Sequence, residues 1–196
     1  MTQNCEAWDM ACQCGVFKAA NVYKELRGER VDVPWKKIFF QNRARPRSKF
    51  ILWLILKGRL PTKERLERFG FINDVTCCFC DQTETLDHLF FACRWTYRIW
   101  KEMLEWNGYA RNIRQWPQEQ TWLIQEMGKK GWRREILKVT LAETVYQIWL
   151  SRNEAAFNNS LPRSDITRVI QERVVQRCLP HRKLKPHVSG NAVSLR

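Results

Sequence analysis

The chain has 196 residues, enough to bury a core without help from disulfides, and carries 34 Lys plus Arg against 20 Asp plus Glu, a formal charge of +14. Such a surplus points to a polyanionic partner, nucleic acid first and an anionic membrane surface second. The longest apolar run, Phe50 to Leu56, is seven residues, far below the roughly 20 that cross a bilayer, so a membrane-spanning role is excluded.

The opening stretch MTQNCEAWDMACQC lacks the charged and then apolar regions of a secretory signal, so an intracellular location is expected, nuclear if the partner is nucleic acid. In a reducing compartment the eight cysteines read as metal ligands or buried apolar side chains before they read as a disulfide framework. Ten tryptophans are spread from Trp8 to Trp149, a distribution that suits helix packing better than a single site.

Residues 1–15 show no hydrophobic period and hold Cys5, Cys12 and Cys14, so they are read as a flexible arm. A short helix is expected in FKAANVYKELRGE, with Ala19, Val22, Tyr23 and Leu26 on one face and Gly28 at its end. In RPRSKFILWLILKG, Pro46 suits a first helical turn, Gly58 a stop, and Phe50, Trp53, Leu54 and Lys57 share one side. The next segment, LPTKERLERFG, offers Thr62 as N-cap, Glu64 in the first turn, Leu66 and Phe69 facing inward, and Gly70 as terminator.

After a cysteine-rich stretch, RWTYRIWKEMLEWNG places Trp95, Ile99 and Met103 on one stripe beside Trp100 and Leu104, ending at Gly108. Residues 109–131 read as a connection with room for a short helix. The long stretch from Trp132 to Phe157 keeps Ile136, Leu137, Leu141, Val145, Ile148 and Trp149 in helical register. Ser164 can cap a last helix that presents Ile166, Val169, Ile170 and Val174. The fold class is therefore mainly α: a small helical domain over 16–108 that carries the cysteine-rich stretch, expected to bind zinc on the spacing given next, a connection over 109–131, a C-terminal helical extension over 132–178 and a disordered basic tail over 179–196.

The zinc assignment comes from CCFCDQTETLDHLFFAC, residues 77–93. Starting at Cys77, the spacing is Cys77-x2-Cys80-x7-His88-x4-Cys93. A two-residue gap lets both sulfurs of a tight turn face one point, and zinc takes three thiolates and an imidazole tetrahedrally. Cys78 offers a rival register, although a single intervening residue directs two side chains apart. TETLDHLFFAC is expected to start a helix capped by Thr83 or Thr85, with His88 in its first turns and Cys93 at or past its end. Four protein ligands fill the shell, so a single zinc here is expected to be structural. A redox dithiol is disfavoured because no βαβ pattern surrounds the pair. Cys178-x2-His181 lacks partners for a second site.

The charge is uneven. Residues 36–68 contain eleven Lys or Arg against Glu64 and Glu67 alone, whereas the zinc segment brings Asp81, Glu84 and Asp87. The expected nucleic-acid surface is therefore upstream of the zinc, at Lys36, Lys37, Arg43, Arg45, Arg47, Lys49, Arg59 and Lys63, with Trp35, Phe39 and Phe40 available for stacking. Carboxylates such as Glu143 and Asp165 read as helix-surface charges.

The succession FKAANVY, VPWKKIFF, RPRSKFILWLILKGRLPTKERLERFG, CCFC…ETLDHLFFAC and VYQIWLSRNEAAF resembles the zinc-binding domain that follows the reverse transcriptase in plant LINE-type non-LTR retrotransposons. The resemblance runs from about Phe17 to Phe157. It matches Cys77, Cys80, His88 and Cys93 to the family's metal ligands, with Cys78 a departure from the usual residue. It implies association with element RNA or target DNA as an accessory to a polymerase. The sequence holds no YxDD polymerase signature and no endonuclease or RNase H constellation, so no catalysis is expected of it. A protein-interaction module docking on a polymerase or host factor, and a nonfunctional element remnant, are the competing readings.

Overall fold

Helix α6, Trp132–Asn158, is the element on which the others are assembled. Its residues from Ile136 to Val145 are all buried, so it has no solvated face over nearly three turns. The computed structural model describes residues 33–158 and 164–188; the expected helix in 17–28 and Cys5, Cys12 and Cys14 lie outside the described residues. The chain divides into two compact units, Met1–Val33 and Pro34–Arg196, and the second contains all the helices described here.

In chain order these are α1 (Lys36–Phe39), α2 (Pro46–Leu56), α3 (Lys63–Arg68), a π-helical turn (His88–Ala92), α4 (Arg94–Trp106), α5 (Trp116–Met127), α6 and α7 (Ile166–Cys178). Among the described residues there is no strand, only an isolated antiparallel bridge between Thr76 and Thr83, so the mainly-α reading holds. Helices α2, α4, α5 and α7 all pack on α6, and α4 also meets α7. One apolar core joins Leu52 and Ile55 of α2, Met103 and Leu104 of α4, Leu137 and Leu141 of α6, and Ile170 and Val174 of α7. Each such side chain contributes about 1.5–3 kcal/mol by leaving water. The segment read as an extension thus shares the core of the zinc-bearing segment.

Local sequence explains the helix ends. Pro46 opens α2, and Gly58 closes it at φ 60° with its own N–H on Ile55 O (2.9 Å) and the Arg59 N–H on Leu54 O (2.8 Å). Gly108 ends α4 in the same way at φ 78°, with Tyr109 N–H reaching back to Leu104 O at 2.9 Å. Both are Schellman closures that need a left-handed residue.

Four expectations are corrected. The shared side of Phe50, Trp53, Leu54 and Lys57 is the outer side of α2: Phe50 is 56% exposed, while Ser48, Ile51, Leu52, Ile55 and Leu56 face the core. Seven consecutive apolar residues give such a helix two candidate faces, and packing selects one. Phe69 does not face inward but is exposed beside Phe71. Residues 179–188 are not a disordered tail, since Leu184 and Val188 are buried and 185–188 form a helical turn. Glu143 is not a surface charge. It is fully buried on α6, where it accepts from Arg45 Nε (3.1 Å), Arg45 Nη2 (2.5 Å) and Ser48 Oγ (2.9 Å), which fixes α2 to α6.

Candidate metal centre

Residues 75–84 form a tight hairpin closed by Glu84 N–H on Val75 O and Cys77 N–H on Gln82 O, both at 2.8 Å. The turn at its tip is drawn in by Phe79 N–H, 3.5 Å from Cys77 Sγ, which turns Cys77 and Cys80 to the same side. Phe79 packs on Trp95 of α4 with ring centroids 4.2 Å apart, seating the hairpin on the helix that follows it.

The other two donors come from the segment that enters α4. Thr85 Oγ1 accepts the His88 N–H at 3.0 Å, confirming Thr85 as the cap. In an α-helix a five-residue offset would leave Cys93 about 140° around the axis from His88. The chain instead makes a π turn over His88–Ala92, with Cys93 N–H on His88 O at 2.7 Å. That wider turn returns the fifth residue above the first, and such turns concentrate at functional sites. Cys93 is then extended, at the N-cap position of α4.

The donor atoms of Cys77, Cys80, His88 and Cys93 all lie within 4.8 Å of one another. Cys80 Sγ is 3.1 Å from His88 Nε2 and 3.9 Å from Cys93 Sγ. Zn–S bonds of 2.3 Å in a tetrahedron require sulfurs about 3.8 Å apart, so the widest separation exceeds the ideal edge by only about 1 Å. Cys77 and Cys93 are buried, and Cys80 and His88 half-buried. Three soft sulfurs and one imidazole in this arrangement fit one structural zinc ion.

The electrostatics agree with that donor set. A thiol hydrogen bond from Cys77 holds Cys93 low, at about 5, while Cys77 itself is held well above the ordinary thiol range, first by that same bond and then by burial. Thiols this close cannot all ionise unaided; a divalent cation takes the place of the protons. Cys78 stands apart. Its Sγ lies 3.9 Å from Glu84 Oε2, burial pushes its thiol up, and it contributes no atom to the cluster, so Cys77 is the first ligand.

Residues 17–100 match the family model described as zinc-binding in reverse transcriptase. They hold a reverse transcriptase zinc-binding domain. No curated protein and no solved structure matches the chain. The zinc-binding domain as matched ends inside α4, leaving α5, α6 and α7 beyond it.

What the ligand spacing does not reveal is how the zinc-binding domain is held to α6. Glu84, between Cys80 and His88, is fully buried and accepts from Arg152 Nε at 3.1 Å to each oxygen and from Arg152 Nη2 at 2.7 Å. Its Oε1 also takes the Lys63 N–H at 2.9 Å, supplying the N-terminal cap of α3 that Thr62, with no side-chain bond, does not. Asp87, one residue before His88, accepts the Trp116 N–H at the start of α5, where Trp116 stacks on Phe91 at 4.8 Å. The only sequence signal for Arg152 was its place in VYQIWLSRNEAAF; nothing local marks Glu84 as its partner.

The eight cations expected to meet nucleic acid do not form one patch. Arg45 is committed to Glu143, and Lys63 to Asp74 at 2.8 Å, which holds the Asp74 carboxyl well below its ordinary range. Lys36 and Lys37 line a concavity together with Lys129 and Lys130. Arg43 and Lys49 line another with Arg177 of α7. Arg47 and Arg59 are exposed. Of the aromatics, Trp35 and Phe39 are partly buried against the core and Phe40 is 59% exposed. Cys178 is buried in the core and His181 Nδ1 lies 3.2 Å from Arg43 Nη1, so that pair forms no metal site. No helix among the described residues is long and apolar enough to cross a membrane.

Proposed function

We propose that this chain is a zinc-stabilised nucleic-acid-binding accessory module of a LINE-type retrotransposon reverse transcriptase, of the plant kind its sequence resembles, acting in the nucleus on RNA or DNA beside a polymerase. The observation that carries the reading is where the positive charge is left over. The buried acids Glu84, Glu119 and Glu143 take Arg152, Arg111 and Arg45 as partners. Arg43, Arg47, Lys49 and Arg59 have no carboxylate partner among the described residues, so their charge faces solvent around α2. Zinc, with its shell filled by four side chains, supplies structure and leaves no position for an activated water. Binding without catalysis is the role that follows.

The test is a titration of the zinc-loaded chain with RNA and DNA at two salt concentrations. Binding should fall steeply with salt, since each neutralised phosphate adds about 0.7–0.9 to the slope of log K against log salt. A second reading, docking on a polymerase or host protein, draws on Phe69 and Phe71, exposed by 61% and 74% at the end of α3. Failure to bind either nucleic acid at low salt favours it.

A further inference from the structure

The outward face of α2 forms, with α1 and α7, a groove of about 540 Å³, within the roughly 300–1,000 Å³ range of small-ligand sites. Its floor is aromatic. Phe50 stacks on Trp53 with centroids 6.0 Å apart and planes 27° from parallel, leaving Phe50 56% exposed, and Phe39 closes one side. Its rim is cationic. Lys49 Nζ sits 5.2 Å over the Phe39 ring, Arg43 Nη1 lies 3.2 Å from His181 Nδ1, and Arg177 donates through Nε to the Arg43 backbone carbonyl at 2.9 Å while its terminal nitrogens hold no partner among the described residues. Among the described residues no carboxylate lines the groove.

We infer that this groove binds a single strand of nucleic acid, one base stacking on Phe50 and the flanking phosphates pairing with Arg43, Lys49 and Arg177. An aromatic platform beside a cluster of cations is the means by which single strands are held independently of sequence. Duplex bases hide the faces that Phe50 needs. Stacking and phosphate pairing ignore the 2′-hydroxyl, so RNA and DNA strands bind alike. An acidic peptide would use the rim and leave the exposed ring uncovered. The inference rests on the nucleic-acid reading above and adds Arg177 and Phe50, neither of which lies among the eight cations first expected.

The experiment is fluorescence anisotropy of the zinc-loaded full chain with labelled oligo-dT, oligo-rU and a duplex, with poly-glutamate as competitor. Both single strands should bind similarly and more tightly than duplex, and poly-glutamate should compete poorly. Phe50→Ala should weaken single-strand binding about 5- to 150-fold, and Phe50→Trp should restore it. Because Phe50 is exposed, both variants should melt like the parent. Lys49→Gln and Arg177→Gln should each lower the salt slope by about 0.7. Unchanged affinity in Phe50→Ala, tighter duplex binding, or displacement by poly-glutamate at equal charge overturns this inference alone. Failure of every nucleic acid to bind at low salt overturns it together with the function on which it rests.

Discussion

Replacing Arg152 by methionine should cost this protein a large share of its stability. Glu84 is fully buried, and Arg152, 3% exposed, gives it three of its close polar contacts; the main one that survives is the Lys63 N–H at 2.9 Å. A surface ion pair would be worth about 0–1 kcal/mol. Breaking a buried one strands a charge and costs about 3–5 kcal/mol. Against a total of about 5–15 kcal/mol, that is at least about a fifth of the fold's stability. In a domain of this size it corresponds to a fall in Tm of about 6–20 °C. Urea unfolding of the zinc-loaded chain, followed by circular dichroism, should show a lower midpoint at unchanged slope. Adding Glu84→Gln removes the stranded charge while its amide oxygen still accepts from Lys63, so the double variant should be no less stable than Arg152→Met. A loss below about 1 kcal/mol in Arg152→Met would refute the reasoning, because the pair would then behave as if solvated.

Four further outcomes follow from the same geometry. His88→Ala should drop bound zinc from one equivalent to well below one, and metal analysis with thermal melting should show the fold loosening with it, since structural sites contribute about 10–16 kcal/mol in isolated peptides. Cys78→Ser should keep a full equivalent of zinc while Cys77→Ser loses it, by the same metal analysis. Arg45→Gln should destabilise the chain by breaking the buried pair with Glu143 yet leave the salt slope of nucleic-acid binding nearly unchanged, whereas Arg47→Gln should flatten the slope and leave stability within about 0.5 kcal/mol. Tyr109 is pushed up to about 12, first by burial and then by donating to Glu126 at 3.0 Å. The folded state therefore holds its proton where the unfolded chain has released it, so stability present below pH 10 is lost as pH rises toward 12. Tyr109→Phe should make that alkaline decline shallower in melts across the window.

The metal ligands were legible because their spacing is local: all four ligands and the three gaps between them lie within residues 77–93, and a turn plus a helical start brings them together. The helix ends were legible for the same reason, through Pro46, Gly58 and Gly108. Arg45 with Glu143 and Glu84 with Arg152 were not, being 98 and 68 residues apart. A sequence shows that a side chain is charged but not that the fold will enclose it, and so Glu143 read as a surface group. The face of α2 was illegible for a different reason. FILWLIL is apolar all round, so periodicity could not decide which side was buried, and the side first grouped together proved to be the exposed platform.

These two misread features meet on α6. Glu143 anchors α2 through Arg45 and Ser48, and Arg152, nine residues on, anchors the zinc hairpin through Glu84. At 1.5 Å per residue the two anchor points are about 13 Å apart along one rigid helix. In each anchor the carboxylate is fully buried, so rupture would strand a charge in the core and neither element can shift on α6 without breaking one. Zinc therefore fixes the hairpin, the hairpin caps α3 and grips α6, and α6 holds the α2 face that carries Phe50, Trp53 and Lys49. On the nucleic-acid reading proposed above, the metal acts on the α2 groove at a distance and by position alone. Stripping zinc should accordingly weaken nucleic-acid binding by disordering the mount, while the salt slope of whatever binding survives should still answer to Lys49→Gln, since the phosphate contact belongs to α2 and not to the zinc site.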